Sequence, residues 1–368
     1  MLHGIRILDV SRVLAAPACA MTLGDLGADV IKVERPIVGD ETRAWGPPFD
    51  SRGETAYYLS INRNKLGIAL DLDLSDDRGV LEGLIAEADV VLDNYKVGTL
   101  ERRGLAPERF LSEHSGLIWC SVTGFGPSSE RPGYDFVVQA ESGWMSITGD
   151  VNGDPMKCGV ALADVIAGKD ATIAILGALV ARGRSSTALT VAKRRLVISL
   201  AHSATAALVN VAQNALVSGR EAGRWGNAHP NLVPYQLFRA ADAHLVIAVG
   251  NDAQWRGCCA ALALDTLESD ERLRTNVGRL AEREHVVAAI AARVRERPAA
   301  EWIAAFARHG VPTGRVRTVR EALADVPTSA LTGVAPAVPG SVRFPPPRLN
   351  EHGPLIRAHG WAAFQKLT

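Results

Sequence analysis

The sequence predicts an α/β fold in which a parallel sheet carries helices on both faces and a smaller α/β domain follows. Short apolar runs alternate with helical stretches through the first 200 residues, as in strand–helix–strand crossover units. The pattern changes near Arg220, where a second series of elements begins. Hydrophobic residues make up 47% of the 368 residues, which is enough apolar side chain for a sizeable core.

The first elements follow one another at the spacing of a parallel sheet. Pro17 suits the first turn of a helix, and Gly27 ends that helix before the next strand. Crossovers of this kind require parallel strands. The predicted strands are Ile5–Val10, Asp29–Glu34, Ile68–Asp73, Asp89–Asp93 and Leu117–Val122, and the predicted helices are Ala18–Leu26 and Arg78–Ala88.

The remaining elements divide between the end of this region and a second one. Residues 34–67 form a long segment rich in Pro, Gly and Arg, and its aromatic residues favour an ordered, functional loop. A helix over Ala163–Arg182, a strand over Leu196–Leu200 and a helix over Ala201–Ser218 complete the first region. The second region is predicted to contain the strand His244–Val249, helices over Asp252–Leu264, Ala281–Arg297 and Ala299–His309, a break at Gly310–Gly314 and a new element over Val316–Asp325.

Charge and cysteine content exclude several classes of partner. The chain has 40 Lys+Arg and 40 Asp+Glu residues, a balance that argues against nucleic-acid or membrane partners. Its five cysteines contain no CxxC pair, which is typical of a reduced, intracellular protein. The N-terminus lacks a signal-peptide pattern, and the most apolar run, Ala171–Ala181, is too short to span a bilayer. We therefore expect a cytoplasmic protein.

Familiar catalytic signatures are absent. The turn after the first strand reads VSRVLAAPA, without the glycines of a dinucleotide site, and neither GxxxxGK[ST] nor GxSxG occurs. The nine histidines lack metal-ligand spacing, so no metal site is predicted. These absences disfavour hydride transfer, nucleotide hydrolysis and serine esterase chemistry.

One carboxylate stands in unusual surroundings. Asp164 lies in CGVALADVIAGKDATIAIL, among small and apolar residues at the start of a predicted helix. It fits a helix N-cap, the common role of aspartate at such a position. It also fits a desolvated nucleophile that attacks an activated acyl group. The residues alone leave both interpretations open.

Ordered motifs resemble the class III (CaiB/BaiF) coenzyme A transferases from residue 1 to about residue 345. They include RILDVSRVLAAPACAMTLGDLGADVIKVERPIVGDETRAWGPPF, YYLSINRNKLGIALDLD, ADVVLDNYKVGTLERRGL, RPGYDF and GVALADVIAG. The stretch RWGNAHPNLVPYQLFRAADAHLVIAVGNDAQW is similar to the subgroup that moves CoA among dicarboxylates. The resemblance implies an interlocked, ring-like homodimer with a Rossmann-like large domain (1–200), a small domain (220–312) and a C-terminal segment (313–368) that returns to the large domain.

The resemblance also implies roles for individual residues. Asp164 stands at the family's nucleophile, and Gly250, Asn251 and Asp252 stand at a flexible loop over it. Coenzyme A is implied as substrate, with no tightly bound cofactor, and small carboxylates as the other substrates. Arg43 and Arg224 are candidates for reading the second carboxylate of a dicarboxylic acid, or else are loop anchors. The positions that match the CoA site are Val13, Leu14, Ala15, Arg35, Leu70, Asp71, Asn94, Tyr95, Lys96, Arg102 and Tyr134.

The expected reaction is transfer of CoA from an acyl-CoA such as succinyl-CoA to a free carboxylate through an aspartyl-CoA thioester. Two alternatives stay open. A racemase-like enzyme of the same family would need a histidine where Tyr134 stands, and a catalytically silent acyl-CoA-binding protein would not need Asp164. Two departures from the family pattern are Ala16, in place of a glycine, and residues 183–196, which replace a glycine-containing hairpin.

Overall fold

The computed structural model describes residues 1–367 and divides the chain into two compact units. The large unit contains residues 1–145 and 157–220 together with the chain from Val326 onward. The small unit contains Ser146–Met156 and Glu221–Asp325. Each unit has its own hydrophobic core, and each is described by itself below.

The large unit is built on a six-stranded parallel sheet with the order β3-β2-β1-β4-β5-β6. The chain runs outward from β1 on one side and from β4 on the other, so the strand order reverses between these two strands. In open parallel sheets, ligands bind beyond the carboxyl ends of the strands at such a reversal. The strands are β1 (Arg6–Asp9), β2 (Asp29–Glu34), β3 (Lys65–Ala69), β4 (Val90–Asp93), β5 (Ile118–Thr123) and β6 (Arg195–Ser199).

The α-helices range from one turn to the 23 residues of α7. In chain order they are α1 (Ala15–Asp25), α2 (Ala56–Leu59), α3 (Ser75–Ala86), α4 (Pro107–Glu113), α5 (Asp135–Glu141), α6 (Trp144–Ile147), α7 (Leu162–Arg184), α8 (Val191–Arg194), α9 (Leu200–Ala206), α10 (Val209–Ser218), α11 (Asp252–Leu262), α12 (Asp265–Glu268), α13 (Asn276–Ala281), α14 (Arg283–Val294), α15 (Ala299–Arg308), α16 (Val319–Leu323), α17 (Gly353–His359) and α18 (Ala363–Leu367). Short 3₁₀ turns cover Glu41–Ala44, Glu101–Arg103, Glu271–Leu273 and Gly360–Ala362. None of the helices within residues 1–367 combines the length and apolar character needed to cross a membrane.

The two faces of the parallel sheet are covered by different helices. Helices α1 and α7 pack on one face with Ile7, Val30 and Val90, and helices α3, α4, α17 and α18 cover the other. Helix α7 approaches the start of α1 closely, because a Cβ on Gly168 would lie 2.5 Å from the carbonyl oxygen of Ala15. The sheet with helices on both faces confirms the α/β prediction.

The small unit contains an antiparallel three-stranded sheet. Its strands are β7 (Tyr235–Arg239), β8 (His244–Ala248) and β9 (Thr313–Arg315), with β8 in the centre. Helices α11, α14 and α15 contribute Trp255, Ile290 and Trp302 to its core. Because β9 pairs with β8, residues 313–325 belong to the small unit, whereas the sequence interpretation assigned them to the returning C-terminal segment.

The large unit contains a further, two-stranded sheet. It joins β10 (Thr328–Ser329) to β11 (Gly333–Val334).

Two element predictions were wrong in detail. The third strand covers Lys65–Ala69 rather than Ile68–Asp73. It begins with a charged residue, Lys65, that is fully buried because it pairs with Asp9 of β1. The single helix predicted over Ala201–Ser218 is two helices, α9 and α10, and Val209, the first residue of α10, has a positive φ of 41°. The unusual segment before β6 forms the short helix α8, whose Arg194 is buried and donates to backbone carbonyls.

Candidate active site

The first turn of α7 positions Asp164. The helix begins at Leu162, and its N-cap residue, Ala161, has no side chain that could accept a hydrogen bond. Instead, Oδ1 of Asp135 accepts from the backbone N–H groups of Ala163 at 2.9 Å and Asp164 at 3.4 Å. Gln139 fixes this carboxylate by donating to its Oδ2 at 2.7 Å. Asp135 therefore performs the capping role that the sequence allowed for Asp164.

The carboxylate of Asp164 is buried without a positive partner. The residue is 8% exposed, and within residues 1–367 its side chain forms no ion pair and accepts no hydrogen bond. Burial, and secondly the negative charge of Asp135, raise the pKa of Asp164 to about 7. A poorly solvated carboxylate that is in part ionised at neutral pH is suited to nucleophilic attack.

Asp164 opens into a cavity of about 170 Å³ at the reversal in strand order. One wall is the loop between β1 and α1, and another is the segment that follows β4. Gly124 and Gly133 let two loops cross on a third wall, since a Cβ on Gly133 would lie 2.3 Å from the Cα of Gly124. The predicted CoA-site residues that line this cavity are Val13, Leu14, Ala15, Asn94, Tyr95, Lys96 and Tyr134.

A second cavity of about 430 Å³ adjoins the first. Both are lined by Arg12, Tyr95 and Lys96, so the two spaces share one wall. Among the described residues, the exposed ammonium of Lys96 forms no hydrogen bond or ion pair. The other predicted residues that line the second cavity are Arg35, Leu70 and Asp71, and the exposed apolar residues Ile37 and Val38 line it as well.

Arg102 lies outside both linings. Its guanidinium donates to Oγ1 of Thr99 at 3.3 Å in an exposed position. The neighbouring Arg103 lines the second cavity instead and pairs with Asp73 at 2.8 Å. The structure thus places Arg103, rather than Arg102, in the lining of the second cavity, together with Arg12, Arg35 and Lys96.

Arg43 is committed to carboxylates of its own chain. Its guanidinium contacts Glu34 at 2.8 Å and Glu54 at 2.6 Å, donates to the carbonyl of Pro347 and lies 3.7 Å from the ring centroid of Tyr58. Both carboxylates and the guanidinium are nearly inaccessible to solvent. Arg43 therefore anchors the segment 34–67. It does not read a substrate carboxylate, as one of the two alternatives expected, because Glu34, Glu54 and Pro347 already occupy its donors.

Arg224 and the glycine loop belong to the small unit. Arg224 donates to the carbonyls of Asp150 at 3.0 Å and Gly153 at 2.7 Å, which holds the segment Ser146–Met156 in that unit. This arrangement matches the loop-anchor alternative for Arg224. Gly250 precedes α11, Asn251 caps this helix by accepting from Gln254, and Asp252 pairs with Arg279 at 2.8 Å.

The sequence interpretation missed Tyr57 as a neighbour of Asp164. Burial, followed by the charges of Asp164 and Asp135, raises the pKa of Tyr57 to about 12. Its ring packs edge-on against Trp45, with 5.0 Å between the ring centroids. The aromatic content of residues 34–67 was the available signal, but it could not show which of these side chains lies within reach of the charge of Asp164.

The chain matches a known protein family over most of its length. Residues 2–352 match the model of CoA-transferase family III. The chain belongs to that family. Within residues 1–367 of this class III CoA-transferase, no group of His, Cys, Asp and Glu side chains is arranged to hold a metal ion.

The transferase is similar to proteins of several organisms. It is 43% identical over 329 residues to a succinyl-CoA:glutarate CoA-transferase of Mus musculus, covering 88% of this chain and 74% of the other. It is 41% identical over 332 residues to a succinate–glutarate CoA-transferase of Agrobacterium fabrum, with 88% and 82% covered. A CaiB/BaiF family protein from Brucella suis superposes with a TM-score of 0.81 at 38% identity, over 97% of this chain and 98% of that one.

Proposed function

We propose that this transferase moves CoA from succinyl-CoA to a small dicarboxylic acid, with glutarate as the first candidate, and that Asp164 is its nucleophile. The observation that carries the role of Asp164 is its buried carboxylate, which has no cation or hydrogen-bond donor among the described residues 1–367 and lies in a cavity at the reversal in strand order. The names of two relatives, at 43% and 41% identity, support the choice of acids.

The proposed reaction proceeds through two carboxylate exchanges. An oxygen of Asp164 attacks the thioester carbonyl of the donor, the C–S bond breaks, and CoA leaves as the thiolate. The thiolate then attacks the aspartyl carbonyl of the mixed anhydride, which gives an aspartyl-CoA thioester and the free donor acid. The acceptor carboxylate repeats these steps in reverse order. Covalent catalysis of this kind conserves the free energy of the thioester, because the C–S bond that breaks in the donor is formed again in the product, and it consumes no water.

The two adjoining cavities support an extended position for the CoA substrate. The larger cavity offers Arg35, Arg103 and Lys96 for phosphate groups, together with the apolar surface of Ile37 and Val38. The wall shared through Tyr95 and Lys96 leads to the smaller cavity, where Asp164 would meet the thioester. The loop Gly250–Asp252 as a cover for Asp164 stays a prediction.

We also propose that the chain assembles as the interlocked homodimer that its resemblance implies. Helix α10 has no buried residue, and its Leu216 and Val217 are 77% and 78% exposed. On α7, Ile173 is 67% exposed. Apolar side chains on helices of a folded unit favour coverage by another chain. Sedimentation should find a dimer whose dissociation coincides with unfolding, and a folded monomer would contradict this proposal.

The racemase alternative receives no support from the cavity. Two-base proton transfer needs a second base opposite Asp164, and the described lining contains Tyr134 but no histidine.

Trapping with hydroxylamine tests the proposed chemistry. The protein is incubated with succinyl-CoA and hydroxylamine, and mass spectrometry should find a hydroxamate at Asp164 and at no other carboxylate. In parallel, CoA exchange is measured with succinyl-CoA and a panel that contains glutarate, other dicarboxylates and acetate. Exchange without modification of Asp164 would reject the mechanism, and preference for acetate would reject the dicarboxylate assignment.

A further inference from the structure

The loop between β1 and α1 is held by side chains rather than by regular secondary structure. Five consecutive backbone groups, from the N–H of Ser11 to the N–H of Val13, each have a side-chain partner at 2.6–3.2 Å. The partners come from separate parts of the large unit, and in order along the loop they are Asp9, Lys32, Asn94 for both groups of Arg12, and Asp40.

The end of this loop is strained. Val13 has a φ of +71°, in the left-handed region that a β-branched residue rarely adopts because the conformation is strained. It persists only where the surroundings impose it. Val13 lines the cavity of Asp164, so the strain is located at the functional site.

Asp40 is the group that fixes the strained residue. Its carboxylate accepts from the N–H of Val13 at 3.2 Å, from the N–H and hydroxyl of Thr42 at 3.0 and 2.8 Å, and from Lys32 at 3.1 Å. Asp40 is 3% exposed and Lys32 is fully buried. Lys32 also donates to the carbonyl of Ser11 at 2.9 Å, so one buried ion pair holds the loop at two points.

The held loop is continuous with the element that supports the nucleophile. Leu14 is the N-cap residue of α1, and the carbonyl of Ala15 touches α7 at Gly168, four residues after Asp164. A change in the path of Val13 would therefore move both the cavity wall and the packing of α1 on α7.

We propose that Asp40 is a positioning residue that, paired with Lys32, holds Val13 in its left-handed conformation and so presents the loop Val13–Ala15 to acyl-CoA. This inference rests on the proposed CoA site. Asp40 itself lines neither of the two cavities and touches no reacting atom.

The variant Asp40→Asn weakens this arrangement without removing the side chain. An asparagine accepts with one oxygen only, so it loses either the contact with Lys32 on the Oδ2 side or the contacts with Thr42 on the Oδ1 side. In both orientations an NH₂ group replaces one of the two oxygens that accept from Val13, and the negative charge opposite Lys32 is lost. We expect the KM for acyl-CoA to rise about tenfold, since small displacements in a binding site have effects of this order or larger. The KM for the carboxylate acceptor should change less than about threefold, because Asp40 is not proposed to order the acceptor.

Two further variants isolate the role of Val13. Thr42→Val removes one hydrogen bond to Asp40 but retains the ion pair and the bond to Val13, so it should leave both KM values unchanged. Val13→Gly removes the strain, because glycine adopts a positive φ readily. In the Val13→Gly background, the effect of Asp40→Asn on the KM for acyl-CoA should therefore be about threefold smaller than in wild type.

Each outcome decides the inference. An equal effect of Asp40→Asn in both backgrounds, or an equal rise in both KM values, would overturn it. If the asparagine variant does not fold, Lys32→Gln/Asp40→Asn takes its place, because it removes the whole ion pair and leaves no buried charge alone. CoA exchange by the wild type is measured alongside, so that the proposed function and the proposed role of Asp40 are tested separately. If the wild type is active and Asp40→Asn has no effect, only the role of Asp40 is rejected.

Discussion

Asp9 and Asp164 are two aspartates of the large unit with similar burial and opposite surroundings. Asp9 is fully buried at the end of β1, and the ammonium of Lys65 lies 2.8 Å from its Oδ2. Asp164 is 8% exposed on α7, and its charged neighbour is another carboxylate, Asp135. Burial alone would raise the pKa of both, but the charges of Lys65 and Lys32 outweigh it at Asp9 and lower that pKa.

The difference separates a structural acid, Asp9, from the proposed nucleophile, Asp164. Because Asp9 is ionised and paired, its charge is already satisfied and it joins strands β1 and β3. Among residues 1–367, no cation or hydrogen-bond donor pairs with the carboxylate of Asp164, so the proposed nucleophile stays available for reaction and its burial lowers the stability of the fold. Substitutions of the two residues should consequently have opposite effects on activity and stability.

The largest effect is expected from Asp164→Asn. The amide cannot form the aspartyl thioester, so exchange should fall by at least about three orders of magnitude. The fold should remain intact. Asp170→Asn is the matched control on the same helix, because Asp170 lies outside both cavities and accepts from Ser203 at 2.6 Å. Steady-state exchange rates measure the effect, and comparable losses in both variants would contradict the distinction.

Asp9→Asn should mainly affect stability. It leaves the fully buried Lys65 without a counter-ion, and breaking one half of a buried pair costs about 3–5 kcal/mol. Because folding lowers the pKa of Asp9, its contribution is present above the unfolded pKa and is lost as pH falls through the folded value. Urea unfolding at pH 7 tests this, with Asp29→Asn as the control for a more exposed pair with Arg343. A destabilisation as small as that of Asp29→Asn would show that the buried pair contributes little.

The pairing of Asp9 with Lys65 also explains which strands the sequence could predict. Apolar periodicity located β1, β2, β4 and β5 within a residue or two at each end, since each is an apolar run. It misplaced β3, which begins with the charged Lys65. The side chain of Lys65 is buried because it pairs with Asp9, 56 residues away in the sequence. Long-range pairing of this kind leaves no local pattern.

The candidate site was predictable in composition and less so in detail. Asp164 stood out because an acid among small apolar residues is unusual. For Arg43 and Arg224 the sequence left substrate reading and loop anchoring both open, since it does not show that Glu34, Glu54 and backbone carbonyls occupy their donors. Asp40 and Tyr57 were missed for the same reason, because their roles depend on tertiary contacts.

Asp164→Asn should also change how stability depends on pH. Folding raises the pKa of Asp164 from 3.8 to about 7, so the folded wild type retains a proton that the unfolded chain loses. Wild-type stability should fall as pH rises from about 4 to about 7, by a total on the order of 4 kcal/mol. The asparagine variant lacks this contribution. Urea unfolding of both proteins at pH 5, 6 and 8 measures the difference, and a constant difference across this range would contradict the raised pKa.

The smallest expected effect is a shift in the pH profile caused by Asp135→Asn. The kcat/KM of the wild type should rise as Asp164 ionises, through a pKa of about 7. Asparagine retains an oxygen that can accept from the N–H of Ala163, but it removes the negative charge that disfavours ionisation of Asp164. The rising limb should therefore move to lower pH, and Asp170→Asn should leave it in place. A limb that does not move would mean that Asp135 acts on Asp164 only as the cap of α7, and that burial alone sets its pKa.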